Sequence, residues 1–124
     1  MKALLYQPGD GLKPVQIDKA DWAAVLGDGG EVPETVELFY DVNIALVCSK
    51  NGQYQGKPCC RKTWDESIGR YKIEVRGPFV LCRYDAARKR YYGLTKNQLG
   101  ERGGSLSDKG TVEFFGKSYL VLHH

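Results

Sequence analysis

Asn43-Ile44-Ala45-Leu46-Val47-Cys48-Ser49 is the stretch on which the fold depends. In a strand, Ile44, Leu46 and Cys48 face one side, and Ala45 and Val47 face the other. Both sets are apolar, so the pattern predicts a strand covered on both faces, which places it in the centre of a sheet. Residues 35–40 read as the core strand before it. A second stretch behaves similarly: Phe79, Leu81 and Arg83 alternate with Val80, Cys82 and Tyr84.

Working outward, residues 2–7 and 12–17 read as an opening hairpin around the turn signal Pro8-Gly9-Asp10-Gly11. Pro14 lacks a ladder N–H and so assigns its strand to an edge. Asp18 is the expected N-cap of a short helix over Lys19–Leu26, with Trp22, Val25 and Leu26 on one face and Gly27 as the stop. Asn51-Gly52 predicts a type I′ hairpin, with a short returning strand near residues 53–56 that ends at Pro58. Thr63-x-x-Glu66 matches a capping box and predicts one helical turn over Trp64–Ile68. Residues 91–94 read as a strand, and Thr95 caps a short helix through Leu99. Gly100–Gly110 is rich in glycine and serine and reads as a mobile linker. Residues 111–115 and 118–122 form a last hairpin around Gly116-Lys117. The expected class is α+β: a mainly antiparallel sheet of short strands with one short helix and one or two helical turns.

Composition sets outer bounds. The 124 residues suffice for one domain, with residues 100–124 completing the unit begun by residues 1–99. A hydrophobic content of 42% and a charged content of 27% argue for a folded chain rather than a disordered one. No apolar run is long enough to span a bilayer. Met1-Lys2-Ala3-Leu4-Leu5-Tyr6 turns polar at Gln7, too soon for a signal peptide. The expectation is a cytoplasmic chain whose Cys48, Cys59, Cys60 and Cys82 are reduced, with Cys48 and Cys82 buried as small hydrophobes. Charge is unevenly spread: residues 1–45 sum to −5 and residues 46–124 to +8. Such a bias can mark a basic binding face.

Catalytic equipment is sparse. Apart from His123-His124 there is no histidine, so neither a Ser-His-Asp nor a Cys-His arrangement has an internal base. Asp65-Glu66 reads as part of the first turn after a helix cap. Adjacent Cys59 and Cys60 would point to opposite faces of a strand, which suits no tetrahedral metal site. Gly9-Asp10-Gly11 and Gly103-Gly104 match no phosphate-binding loop. The sequence therefore predicts no enzyme, no metal and no cofactor. A thiol-dependent enzyme is the least favoured alternative. It rests on Arg61-Lys62, whose charge would lower the pKa of Cys59 or Cys60.

The cluster with most chemical content is Arg83-Tyr84-Asp85-Ala86-Ala87-Arg88-Lys89-Arg90-Tyr91-Tyr92. If its flanks pair, the cations crown a hairpin and the tyrosines flank its base. Cations hold phosphates, and tyrosine faces stack on bases. Arg61, Arg83, Arg88, Lys89, Arg90, Tyr91 and Tyr92 are the expected partner-binding residues. The expected partner is nucleic acid or a host protein that handles it. Arg and Tyr serve protein interfaces equally well. A different reading is a homo-oligomer that binds a small anionic or nucleotide ligand between subunits.

The order of elements is itself informative. Ala3–Tyr6 with Pro8-Gly9, then Glu31, Val36–Tyr40, Ile44–Cys48 and an Asn-Gly turn are followed by Gly56-Lys57-Pro58, Arg61, Arg76-Gly77-Pro78-Phe79-Val80 and Gly93-Leu94-Thr95. This resembles the domain-of-unknown-function family numbered 3846, over roughly residues 1–99. The chain departs from the family pattern at Ser49-Lys50, where acidic residues are usual, and at Cys60, where Asn is usual. The resemblance implies a small cytoplasmic accessory protein of phages or mobile elements and brings no catalytic residue with it.

Overall fold

The structure is a computed structural model that describes residues 1–7, 11–18, 22–26, 33–49, 60–65, 70–76, 78–100, 104–106 and 111–123. Two antiparallel sheets account for most of them. The larger contains β1 (Lys2–Gln7), β2 (Gly11–Gln16), β3 (Pro33–Phe39), β4 (Ile44–Ser49), β7 (Phe79–Asp85) and β8 (Arg90–Tyr92). Its order is β2-β1-β7-β4-β3, with β8 also paired to β7. The smaller runs β6 (Arg70–Arg76), β5 (Cys60–Asp65), β11 (Lys117–His123), β10 (Thr111–Phe114), β9 (Gly104–Leu106). Two short helices, α1 (Trp22–Leu26) and α2 (Lys96–Leu99), are the helical elements among the described residues.

The expectation for Ile44–Ser49 holds: every residue of β4 is buried, and β4 lies between β7 and β3. Leu4, Tyr6, Ile44, Leu46, Phe79 and Leu81 form one apolar layer, closed by Val112, Phe114 and Tyr119 of the smaller sheet. Ala3, Leu5, Ala45, Val47, Val80 and Cys82 form the opposite layer, closed by Trp22 and Leu26 of α1. The larger sheet is thus the middle of three layers, which is why its central strands do not alternate in polarity. Cys48 and Cys82 are buried in opposite layers, and neither is in a disulfide. Desolvation pushes the Cys82 thiol up to about 12, so it stays neutral and inert at pH 7.

The opening hairpin forms from β1 and β2, with Pro14 on an edge strand as expected. The last hairpin closes through Phe115 (φ 53°) and Gly116 (φ 80°), the two positive φ values that a type I′ turn requires. Thr95 caps α2 in a full capping box. Its hydroxyl accepts from the Gln98 backbone N–H at 3.2 Å, and Gln98 Oε1 accepts from the Thr95 N–H at 2.8 Å.

Two expectations are corrected, and one further strand is found. Thr63 and Trp64 do not begin a helical turn; they lie in β5. That strand pairs on one side with β6 and on the other with β11, so both of its edges are hydrogen-bonded. Two ladders outweigh a single turn, whose nucleation is costly. Arg70–Arg76 forms a further strand, β6, at one edge of the smaller sheet; its alternation of Arg, Lys, Glu and Arg with Tyr, Ile and Val has the period of a strand with one polar and one apolar face. Within the expected mobile linker, Gly104–Leu106 is strand β9, paired to β10. The Asn51-Gly52 hairpin, its returning strand, and the start and stop expected for the first helix lie outside the described residues.

Candidate functional site

β7 and β8 form the expected hairpin, pairing Arg83 with Tyr92, Tyr84 with Tyr91 and Asp85 with Arg90. Its turn, Ala86–Lys89, is shaped locally. Asp85 Oδ1 accepts from the backbone N–H groups of Ala87 (3.0 Å) and Arg88 (3.2 Å), which ties the turn to the end of β7. Lys89 then takes φ 53°, a left-handed step that reverses the chain into β8. Arg88, Lys89 and Arg90 are all exposed at this tip. The Arg88 guanidinium lies 3.9 Å from the Asp85 carboxylate, a loose surface pair that leaves it available to a ligand. Lys89 and Arg90 have no ion pair among the described residues.

The base of the hairpin is anchored on both faces. Tyr91 packs against Trp22 (5.3 Å between ring centroids) and Tyr84 (4.8 Å), and its hydroxyl lies 2.8 Å from Thr35 Oγ1. Burial raises the Tyr91 phenol above its ordinary value. Arg83 Nε donates to the Gly93 carbonyl at 2.6 Å. Beyond β8 the chain crosses to β1: the Leu94 N–H donates to the Lys2 carbonyl at 2.7 Å. A Cβ at Gly93 would come within 2.9 Å of the Lys2 nitrogen, so that crossing requires glycine. This is why β8 stops at Tyr92 rather than continuing to Leu94.

The expected partner-binding residues therefore divide by role. Arg88, Lys89 and Arg90 form the exposed cationic tip. Tyr91 and the Arg83 Nε hold the hairpin in place. Tyr92 stands on the face of Arg83 and lines a cleft. Arg61 lies on β5 of the smaller sheet, and its side chain is outside what is described.

The cleft, of about 710 Å³, lies between the β7–β8 turn and the β3–β4 turn; Tyr40, Asn43, Arg83, Asp85, Arg88 and Tyr92 are among its lining residues. A second cleft of about 560 Å³ lies on the other side of the tip, where Trp22 and Tyr91 meet Arg88, Lys89 and Arg90. The β3–β4 turn is the part of the first cleft that the sequence does not announce. Its one local sign is an aromatic residue, Tyr40, just before Asp41-Val42-Asn43, and only the fold brings it opposite Tyr92.

That turn is braced. The Val42 N–H donates to the Phe39 carbonyl (3.3 Å), and Gln98 Nε2 of α2 donates to the Val42 carbonyl (2.8 Å). Asp41 Oδ2 accepts from the Tyr119 hydroxyl (2.7 Å) and from Lys117 Nζ (3.1 Å), joining the two sheets. A bulge in the β10–β11 pairing leaves Tyr119 without a partner opposite, which turns its ring inward to this contact. The Tyr119 hydrogen bond, with Lys117 beside it, holds the Asp41 carboxyl below its ordinary value. Burial, then the Asp41 hydrogen bond, raises the Tyr119 phenol.

Among the described residues, no three His, Cys, Asp or Glu side chains converge as a metal site would need. Nor is any described helix long and apolar enough to cross a membrane. Cys59 lies outside the described residues, as does the Cys60 side chain. One family, described as Domain of unknown function (DUF3846), matches residues 1–106. No curated protein and no solved structure matches the chain.

Proposed function

The chain belongs to the DUF3846 family, and from that premise we propose that it is a small, non-catalytic module that binds nucleic acid through the β7–β8 tip. The observation that carries the reading is the placement of Arg88, Lys89 and Arg90, exposed together on a turn whose backbone is fixed by Asp85 and Lys89. A fixed turn presents cations without the ordering cost of a floppy loop. Phosphate contacts of this kind give affinity without sequence preference. A cytoplasmic accessory protein of a phage or mobile element would meet nucleic acid in this way, directly or beside a host protein that handles it. Arg83 and Tyr91 support the reading by securing the tip, through the Gly93 carbonyl and the rings of Trp22 and Tyr84.

Fluorescence polarisation with labelled single- and double-stranded oligonucleotides, repeated across salt, tests this. The expected result is binding that weakens linearly on a log–log plot against salt. No binding at low salt would remove nucleic acid as the partner and turn the same surface into a protein interface, to be sought by pull-down.

A further inference from the structure

We infer that the cleft between the β3–β4 and β7–β8 turns is a base-stacking site, so that the protein prefers single-stranded nucleic acid to duplex. This rests on the reading of the cationic tip as a phosphate contact. It adds a second surface and a selectivity that the tip alone does not give.

Tyr40 carries most of the argument. It is 85% exposed and, among the described residues, its side chain has no hydrogen bond and no ring partner. An aromatic side chain in water forgoes the burial that usually repays its size. Yet the backbone beneath Tyr40 is held firmly, through Val42 by Gln98 and through Asp41 by Tyr119 and Lys117. A rigid turn that holds an unpartnered ring out into solvent is built for contact rather than for stability.

Across the cleft stands Tyr92, half-buried, whose side chain also lacks a hydrogen bond or ring partner among the described residues. Two open rings therefore line one cleft, and Arg88 lines it too while belonging to the cationic tip. Asn43 and Asp85 add polar groups that could meet base edges. A strand whose phosphates lie on Arg88, Lys89 and Arg90 has its bases beside Tyr40 and Tyr92. This is the pairing of aromatic platform and cationic track that suits single strands, because every base offers a π-face. A duplex keeps its bases stacked inside and can offer the cleft only backbone. The volume lies within the range of clefts that hold small organic groups.

The test uses a labelled oligothymidylate of about 12 nucleotides, within the usual site size, and a duplex of equal length. Wild type, Tyr40→Ala, Tyr92→Ala and Tyr92→Phe are titrated at several salt concentrations, with thermal unfolding as a fold control. Wild type is expected to bind the single strand at least about tenfold more tightly than the duplex. Each Ala variant is expected to lose about tenfold on the single strand, the size of one stacking contact. Its salt slope should not change, because stacking displaces no counterions. Tyr92→Phe keeps the ring and should keep the affinity. Equal affinity for duplex and single strand, or Ala variants that bind like wild type, would overturn the stacking site and leave the tip reading standing. An absence of binding by wild type at any salt would overturn both. Because Tyr40 is largely exposed, its variant folds normally and stays informative even if Tyr92→Ala is destabilised.

Discussion

Phe79–Cys82 and Arg83–Asp85 are successive parts of one strand, β7, under opposite demands. The first four residues are fully buried, flanked by β4 and β1 and covered on both faces. The last three are half-buried and carry two charges and a phenol. What changes along the strand is its company. The pairing with β1 stops at Leu81, and β8 takes its place at Arg83. The part of β7 enclosed by two layers fixes the fold, and the part that emerges from them aims the candidate site. A rigid strand that continues into a functional hairpin gives the tip its position without help from the tip residues.

The two parts of β7 should respond separably to substitution. The largest effect belongs to the enclosed half. Leu81→Ala should cost about 2–5 kcal/mol in urea unfolding, the range for deleting a large buried side chain. A loss under about 1 kcal/mol would mean that the three-layer core is looser than described. Next is the crossing from β8 to β1. Gly93→Ala forces a methyl against the Lys2 backbone and should cost about 1–3 kcal/mol, read as a lower Tm. If Gly93→Ala also weakens binding once folded, the crossing positions the tip as well as stabilising the sheet.

The clasp between the sheets gives a smaller, pH-dependent effect. The folded Asp41 carboxyl titrates below its ordinary value of 3.8. Its contribution is therefore present above that value and is lost as pH falls through the lower, folded one. The Tyr119 phenol titrates above its ordinary value of 10.0, so its share is complete below that pH and is lost only at higher alkalinity. Asp41→Asn should lower Tm at pH 7, and the gap to wild type should close in acid below about pH 4. The effect is modest because Asp41 is about half exposed. A gap unchanged at pH 2.5 would show that the charge is irrelevant there.

Phe115 has φ 53° and is 51% exposed. Bulky residues resist that conformation, which Asn tolerates. Phe115→Asn should therefore stabilise the protein by roughly 0.5–1 kcal/mol, seen as a higher midpoint in urea. If the gain in stability comes with weaker single-strand binding, the aromatic surface beside Asp41 extends to this second exposed ring.

Much of the fold is legible in the sequence because it depends on local rules. The doubly apolar Ile44–Cys48 run, the Pro14 edge and the Thr95-Gln98 box each state their structure within a few residues. The Thr63-x-x-Glu66 pattern misleads because partners from both sides of the sheet capture its backbone, and no local rule contains them. The site was half legible for the same reason. The hairpin cations are contiguous, so Arg88, Lys89 and Arg90 read correctly as an exposed group. The division of labour between Tyr91 and Tyr92 follows only from the faces they occupy. Tyr40 is far from Tyr92 in sequence, and the cleft between them is a product of strand order alone.

On the proposed function, the exposed cations that the β7–β8 hairpin carries at its tip serve binding and not stability. The most direct measurement compares wild type with the combined Arg88→Ala, Lys89→Ala, Arg90→Ala variant in two readouts, thermal unfolding and the salt dependence of single-strand affinity. The two unfolding free energies are expected to lie within about 0.5 kcal/mol of each other, as for surface changes. The log–log salt slope of the variant is expected to be shallower by about 2, the loss of three phosphate contacts on a single strand. An unchanged slope and affinity, or a variant that fails to fold, would contradict the proposed function.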